Sequence, residues 1–285
     1  MSCCILREDP VHLRPIRPPK IMKKPHRRLH RFYSPHPLKQ AGQTLLMTPA
    51  ESLHMTQSLR LGSSDLCLLF DPSSTESLAQ IRSVTSEGKV EIEVVEILEP
   101  NQNTPLYYLR VFVGIPQKGK MDYLIEKAQE CGVDEVFPME TERTVVKMSA
   151  SNKDKVVSRW NRITLQAAKQ SGSLKLSQIH KPQKFDQITH HFPPEDACAV
   201  FHPVAGAIAF NEWVQSLKHD KIETAQNPPV PPFLNLFIGP EGGFAEGEIH
   251  QLIQLKAQVV TLGKTIMKVD TAFVGIIAAL RMLGY

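Results

Sequence analysis

Eight residues carry the densest chemical signal in the chain: Phe237-Ile-Gly-Pro-Glu-Gly-Gly-Phe244. Three glycines around a proline and a glutamate permit a tight turn whose backbone comes close to a ligand. The spacing is not G-x-G-x-x-G, so a dinucleotide pyrophosphate is not indicated. Glu241 would repel a phosphate and suits a ligand carrying positive charge, such as the sulfonium and ammonium of S-adenosylmethionine. The same residues also fit an ordinary glycine-rich turn between a strand and a helix. A second segment, Gly114-Ile-Pro-Gln-Lys-Gly-Lys-Met121, matches the spacing of a phosphate-binding P-loop. Met121 stands where Ser or Thr would hold magnesium, and a thioether does not ligate a hard cation. Nucleotide hydrolysis is therefore disfavoured, and Lys118 and Lys120 read better as contacts to the phosphates of an RNA. Gly263-Lys264-Thr265 repeats part of the pattern without its first glycine, because position 258 is Gln.

These segments must be positioned by regular elements, and from Leu106 onward strand and helix patterns alternate. Tyr107–Val113, Glu135–Met139, Ala197–Phe201, Leu234–Ile238 and Val259–Leu262 are short apolar or β-branched runs. Met121, Leu124, Ile125 and Ala128 have helical spacing, and Gly132 ends that helix. Val156, Trp160, Ile163 and Ala167 mark one face of a long helix whose other side carries Arg159, Arg162, Gln166 and Lys169. Such alternation implies a mostly parallel sheet with helices on its faces. Ligands in such sheets sit beyond the carboxyl ends of strands. The loops to watch are Gly114–Lys120, His202–Gly206, Gly239–Phe244 and Gly263–Asp270. The last helix, Thr271–Leu283, is apolar nearly all round, which predicts deep burial combined with a subunit interface.

Residues 31–98 read as a smaller β-rich unit. Val90, Ile92 and Val94 alternate with Glu91 and Glu93, the period of a half-buried strand, and Ser86–Lys89 forms its hairpin turn. A polar linker with two prolines, Glu99–Pro105, separates this unit from residues 106–285. Asn227–Pro232, with four prolines, is a surface connection. The chain has 285 residues, 42% hydrophobic and 22% charged, the composition of a soluble globular protein. The five cysteines include no C-x-x-C pair, which argues against a disulfide framework or a structural zinc site and for the cytoplasm. No apolar run reaches the roughly 18 residues of a membrane span. No metal site is positioned. The net charge of +4 conceals an asymmetry: residues 1–39 hold ten Lys/Arg and two Asp/Glu. The basic, Pro-rich residues 1–30 read either as a phosphate-binding tail or as a solvated, flexible extension.

Taken together, these segments resemble the RsmE family, the 16S ribosomal RNA (uracil-N3)-methyltransferases of the SPOUT superfamily. The resemblance rests on Gly239-Pro-Glu-Gly-Gly243, Leu262-Gly263 and Ile266-Met-Lys-Val-Asp-Thr-Ala272. It also rests on Glu142-Arg143-Thr-Val-Val146 and on Trp160 through Gly172. In the N-terminal unit it rests on Arg31-Phe-Tyr33, His54, Leu59-Arg60 and Phe70-Asp71. The segments occur in family order over about residues 30–285. The sequence departs from the family at Thr265, Lys268 and Asp270, which stand where two arginines and a glutamate are usual, at Gln57, an arginine in relatives, and at Ala245, usually a Ser or Thr helix cap.

The resemblance implies an α/β fold: an N-terminal PUA-like RNA-binding β-barrel, then a C-terminal SPOUT α/β domain tied in a deep trefoil knot. It implies S-adenosyl-L-methionine (SAM) held by Phe201, His202 and Pro203, by Ile238, Gly239, Pro240, Glu241, Gly242 and Gly243, and by Leu262, Gly263, Ile266, Met267 and Lys268. It also implies a homodimer packed through the last helix. The substrate would be 16S ribosomal RNA, naked or in the assembled small subunit. Methylating uracil N3 requires removal of its proton and stabilisation of negative charge on the flanking carbonyls. Arg143 and Lys268 are the candidates for the charge, Asp270 or Glu241 for the proton. The competing reading is that Arg143 binds phosphate and Asp270 caps the final helix. Arg31, Arg60, Lys118, Lys120, Lys127, Arg143, Lys147, Arg159 and Arg162 form a candidate basic track for RNA. Rival functions are a related knotted enzyme acting on another RNA position and an RNA-binding module that has lost its chemistry.

Overall fold

The computed structural model describes residues 29–99, 105–117, 119–188, 196–223 and 231–285. The basic arm up to residue 28, Lys118, most of the 99–105 linker and most of the 227–232 connection lie outside the described residues.

The N-terminal unit is built on five strands: β1 (Arg31–Tyr33), β2 (Thr44–Leu46), β3 (Leu66–Phe70), β4 (Glu76–Val84) and β5 (Val90–Leu98). Their order in the sheet is β1-β3-β4-β5-β2. All neighbours are antiparallel except β1 with β3. The alternation expected in β5 is present: Val90, Ile92 and Val94 are fully buried. The hairpin turn closes with the Gly88 N–H donating to the Thr85 carbonyl at 2.9 Å. Between β2 and β3 the chain makes a short helix, α1 (Pro49–Leu53), capped by the Thr48 hydroxyl and continued as one π-helical stretch over His54–Ser58.

Among the described residues the C-terminal unit contains eight more strands: β6 (Tyr108–Gly114), β7 (Glu135–Glu140), β8 (Gln178–Ile179), β9 (Gln183–Lys184), β10 (Ala197–Phe201), β11 (Ile208–Ala209), β12 (Phe233–Ile238) and β13 (Gln258–Thr261). The helices described with them are α2 (Lys120–Glu130), α3 (Ala150–Ser171), α4 (Phe185–Ile188), α5 (Phe210–Glu223), α6 (Glu246–Gln254) and α7 (Val269–Met282). The sheet runs β11-β13-β10-β12-β6-β7-β8, with β9 also on β7, and every pairing is parallel. Both faces are covered, which is why its central strands read as unbroken apolar runs. Leu109, Val111, Leu234, Leu236 and Ala199 point to one face, where they meet α2, α3, α5 and α7. Phe112, Phe237, Cys198 and Val200 point to the other, beneath α4 and α6. On that second face Phe137, Phe112 and Phe237 stack at centroid separations of 4.5 and 4.4 Å. Pro138 is tolerated inside β7 because it falls between the stretches paired with β8 and β9, where β7 has no outer neighbour.

The final helix is buried along one side, as its apolar sequence requires, and open along the other. Val269, Phe273, Ile276, Ile277 and Leu280 are buried, whereas Thr271, Gly275 and Met282 are exposed, Met282 by 81%. Within one chain α7 is thus covered on one side only. The chain end is fixed under it. Tyr285 is 1% exposed, donates its hydroxyl to the Val214 carbonyl at 3.0 Å and stacks near Tyr107. The two units are joined through α3. Arg31 donates to the Ala168 carbonyl at 3.2 Å, and Lys169 pairs with the buried carboxylate of Glu51. Among the described residues no helix is long and apolar enough to cross a membrane.

Candidate functional site

Three neighbouring strands end on the same side of the parallel sheet: β10 at Phe201, β12 at Ile238 and β13 at Thr261. The loops that follow them enclose a cavity of about 410 Å³, within the range of small-molecule sites. Phe201, His202 and Pro203 line it from β10, Ile238 through Gly243 from β12, and Leu262, Gly263, Ile266, Met267 and Lys268 from β13. Every residue assigned from sequence to the cofactor loops is therefore in one wall or another. Sequence reading missed Val260, Thr261, Thr265, Val269 and Ala272, which complete the lining.

The Gly239–Gly243 turn is held in place by close backbone approach. A Cβ on Gly114, the last residue of β6, would lie 2.3 Å from Pro240 Cδ and 2.5 Å from Pro240 N. No side chain larger than hydrogen fits there without moving the turn. Glu241 at the tip accepts from the Gln117 N–H, at 3.2 and 3.1 Å to its two oxygens, and from Lys120 Nζ at 2.8 Å. Partial burial pushes its carboxyl up, but the Lys120 ammonium and the N–H donors outweigh this and leave it below the ordinary carboxylate range. Bonding to Glu241 correspondingly raises Lys120. Glu241 is thus a fixed anion tying the β12 loop to the β6 loop, and a poor proton acceptor. After β12 the helix α6 begins at Ala245 without a side-chain cap. Glu248 compensates, accepting from Ala245 N and Glu142 N at 2.8 Å each.

On the opposite wall residues 263–268 are all exposed, Ile266 by 81% and Met267 by 43%. Gly263 sits at φ +116°, a conformation that a residue with a Cβ rarely adopts. Lys268 is the N-cap residue of α7 and lines the cavity.

The remaining expected catalytic residues are placed differently. Asp270 is not on the cavity wall. It lies in the first turn of α7, accepts from the Thr271 N–H at 3.1 Å, and borders a separate depression with Tyr123, Val274 and Gly275. Arg143 stands at the rim, where its Nη1 donates to the Gly242 carbonyl at 3.0 Å. His202 is half-buried in the wall. Burial, and secondarily the charge of Arg143, pushes its imidazole below the ordinary histidine value.

The basic track is only partly assembled. Arg60, Lys147, Arg159 and Arg162 are exposed. Arg159 pairs with Asp122 and, together with Arg162, Gln166 and Gln170, lines a groove of about 620 Å³ on α3. Arg31 does not belong to an open track. Its guanidinium, 9% exposed, is bonded to Glu76 at 2.7 Å and lies over the Phe70 ring. Lys127 is held by Glu126 and Glu130 on its own helix, at 2.8 and 2.7 Å. Lys120 is taken by Glu241, and Lys118 lies outside the described residues. These pairings could not be read from sequence, because partners such as Glu241 lie 121 residues away. Among the described residues no group of three His, Cys, Asp or Glu side chains is disposed to hold a metal.

Comparison with known proteins agrees with this arrangement. The chain is 27% identical over 235 residues to the ribosomal RNA small subunit methyltransferase E of Bacillus subtilis, covering 80% of this chain and 86% of that one. Among solved structures, a putative methyltransferase from Legionella pneumophila in complex with the bound cofactor SAM superposes with a TM-score of 0.77 at 26% identity. A ribosomal RNA small subunit methyltransferase E from Neisseria gonorrhoeae, bound to S-adenosyl methionine, superposes with a TM-score of 0.74 at 25% identity. Each likeness covers 90% of this chain and 98% of the other. The RNA methyltransferase domain family matches residues 102–281, well over half of the sequence, and the chain belongs to that family.

Proposed function

We propose that this protein uses SAM to methylate N3 of a uracil in 16S ribosomal RNA of the small ribosomal subunit. The observation that carries the reading is the convergence of the β10, β12 and β13 loops on one cavity. The cavity fits the donor. Its walls are mostly glycine and apolar residues, suited to an adenine ring and a ribose, with Thr261, Thr265, His202 and Lys268 among them, and its one acidic residue, Glu241, suits the donor's positive charge. Relatives that superpose over nearly their whole length were solved with this molecule bound. When bound, SAM supplies an electrophilic methyl group on a sulfonium.

The protein's part is to hold the base in line with that methyl, an orientation effect worth several kcal/mol (~7–11 at most), and to manage charge. Lys268, on the cavity wall at the start of α7, is positioned to stabilise negative charge on a uracil carbonyl oxygen. Arg143 keeps donors beyond the one given to Gly242 and is the candidate contact to the RNA at the rim. Neither Asp270 nor Glu241 is proposed as the proton acceptor: the first is off the wall and the second is committed to Lys120 and Gln117.

We also read the C-terminal unit as knotted and the protein as a homodimer. In support of the first, α7 follows a loop that crosses the cavity, and the chain end lies buried against Tyr107 and Val214. In support of the second, the uncovered side of α7 presents Met282, with Leu283 and the Ile266–Met267 lip nearby in sequence. The 31–98 sheet is assigned as the PUA-like RNA-binding unit, and the groove of Arg159 and Arg162 as a phosphate contact. A ribosomal substrate fits a cytoplasmic enzyme. Incubation with small ribosomal particles and labelled SAM, followed by nucleoside mass spectrometry, is expected to yield 3-methyluridine. Label in a 2′-O-methylated nucleoside would contradict the assignment. Sedimentation showing only monomers at assay concentration would contradict the dimer.

A further inference from the structure

We propose that His202 is the group that removes the proton from uracil N3. The inference rests on the reading of the chain as an N3-methyltransferase, and it assigns a role for which sequence reasoning had nominated Asp270 or Glu241. His202 directly follows β10 and is anchored by its N–H to the Val260 carbonyl of β13 at 3.1 Å. Its ring lies against the β12 turn: a Cβ on Gly243 would sit 3.6 Å from His202 Cε1 and 3.9 Å from Nδ1. Arg143 packs on the neighbouring residue, where a Cβ on Gly242 would sit 3.2 Å from Arg143 Cβ. The imidazole and the guanidinium arm thus flank consecutive residues of one turn, and His202 belongs to the cavity wall.

Four titratable or charged groups surround this space. Glu241, from the β12 loop, is locked to Lys120 and Gln117. Lys268, from the start of α7, and Arg143, from the loop after β7, are cations. β13 contributes Val260 and Thr261, which do not titrate at working pH. Only His202 combines a place on the wall with a ring free of hydrogen bonds among the described residues. Burial and Arg143 both disfavour its protonated form, so at neutral pH it is an uncharged base with an open lone pair.

The step balances without a metal. A His202 ring nitrogen takes the N3 proton while the N3–methyl bond forms. The methyl–sulfur bond breaks with its electron pair remaining on sulfur, which gives S-adenosylhomocysteine and 3-methyluridine. The imidazolium then returns its proton to solvent. Arg143 favours that release and Lys268 offsets the charge on the uracil oxygen.

The test is single-turnover methylation of small ribosomal particles by wild type, His202→Gln and His202→Ala, with SAM affinity measured for each. Loss of a positioned base is expected to slow the rate constant by roughly 10²–10⁴-fold, with SAM affinity within a few-fold of wild type. The wild-type rate should fall on the acid side with a midpoint below 6.5, the ordinary histidine value. The variants should lack that limb and keep rising with pH as uracil itself ionises, and added imidazole should restore part of the His202→Ala rate. An unchanged rate constant, or a retained acid limb, overturns the role. Loss of SAM binding in step with the rate also overturns it and leaves His202 as a cofactor contact. If wild type produces a different methylated nucleoside, the proposed function fails and the base role falls with it. If all three enzymes make 3-methyluridine at equal rates, only the base role fails.

Discussion

The two ends of the parallel sheet carry polar groups of the same kinds and treat them oppositely. At the amino ends, Glu135 on β7 accepts from Arg110 on β6 at 2.9 Å and lies 2.7 Å from His180 Nε2. Arg110 reaches Asp196 at 3.4 Å, and Asp196 accepts from Asn235 on β12 at 3.3 Å. The rings are packed as well: His180 stacks on Phe137 at 3.8 Å, and the Arg110 guanidinium lies 3.3 Å over Phe233. Each charge is answered by a neighbour, and the network ties together the strands β12, β6 and β7. At the carboxyl ends Glu140, which closes β7, is answered by Lys153 and Glu241 by Lys120, but the cavity beside them is lined differently. His202 and Lys268 line a cavity whose other walls are mostly glycine and apolar residues. A network whose charges are paired stabilises a sheet and leaves little for a ligand. An unsaturated one costs stability and leaves groups able to act.

Substitutions at the two ends should separate accordingly. The largest effect is expected from Gly114→Val at the carboxyl end. Its Cβ cannot coexist with Pro240, so the β12 turn must shift by more than an ångström. SAM binding by calorimetry should be lost while the cooperative melt survives with about 1–3 kcal/mol less stability, a typical overpacking cost. Wild-type affinity in this variant would show that the turn does not form the site. Next comes Lys268→Met, expected to lower the single-turnover rate constant by about 10²-fold, as for loss of one charge-stabilising donor, with SAM affinity within a few-fold. An unchanged rate constant would remove Lys268 from the chemistry.

Glu241→Gln should be milder. It keeps the N–H contact from Gln117 but weakens the tie to Lys120, and a several-fold loss of SAM affinity is expected. The wild-type affinity should have its own pH dependence. A carboxyl held below its ordinary value contributes fully above that value, 4.5, and loses its contribution as pH falls through the depressed one. The difference in affinity between wild type and variant should therefore be flat from neutral pH down to about 4.5 and shrink below it. The smallest effect on methylation belongs to Glu135→Gln at the amino end. His180 first, then Arg110, holds the Glu135 carboxyl below its ordinary value against the opposing effect of burial. The variant should lose about 1–3 kcal/mol of stability and methylate at the wild-type rate. The stability difference should be present at neutral pH and vanish as pH falls through the depressed value. A methylation defect at neutral pH would break the contrast between the two ends.

What was legible in the sequence follows the same division. The central strands β6, β7, β10, β12 and β13 were visible because a parallel strand buried on both faces is a continuous apolar run, and the cavity loops because they must follow those strands. The two-residue strands β8, β9 and β11 carry no period long enough to read. The helix and π-helical stretch after β2 are equally hidden, since the cap Thr48-Pro-Ala-Glu51 precedes a segment with no long apolar face. The fate of individual charges was the least legible. Nothing local distinguishes Arg31, buried between Glu76 and Ala168, from Arg60, which is exposed. Long-range partners decide which lysines and arginines remain for RNA, and those partners appear only when the chain is folded. The final helix has the same limit: an apolar surface says that something covers it, and only the fold shows which side the chain itself leaves open.

The most direct test of the three-loop site is hydrogen–deuterium exchange of the protein with and without saturating SAM. The arrangement predicts slowed exchange in 201–203, 238–243 and 262–268, with the amino-end network around Glu135 and His180 unchanged. Protection elsewhere, or none in those three loops under conditions where calorimetry shows binding, would contradict it.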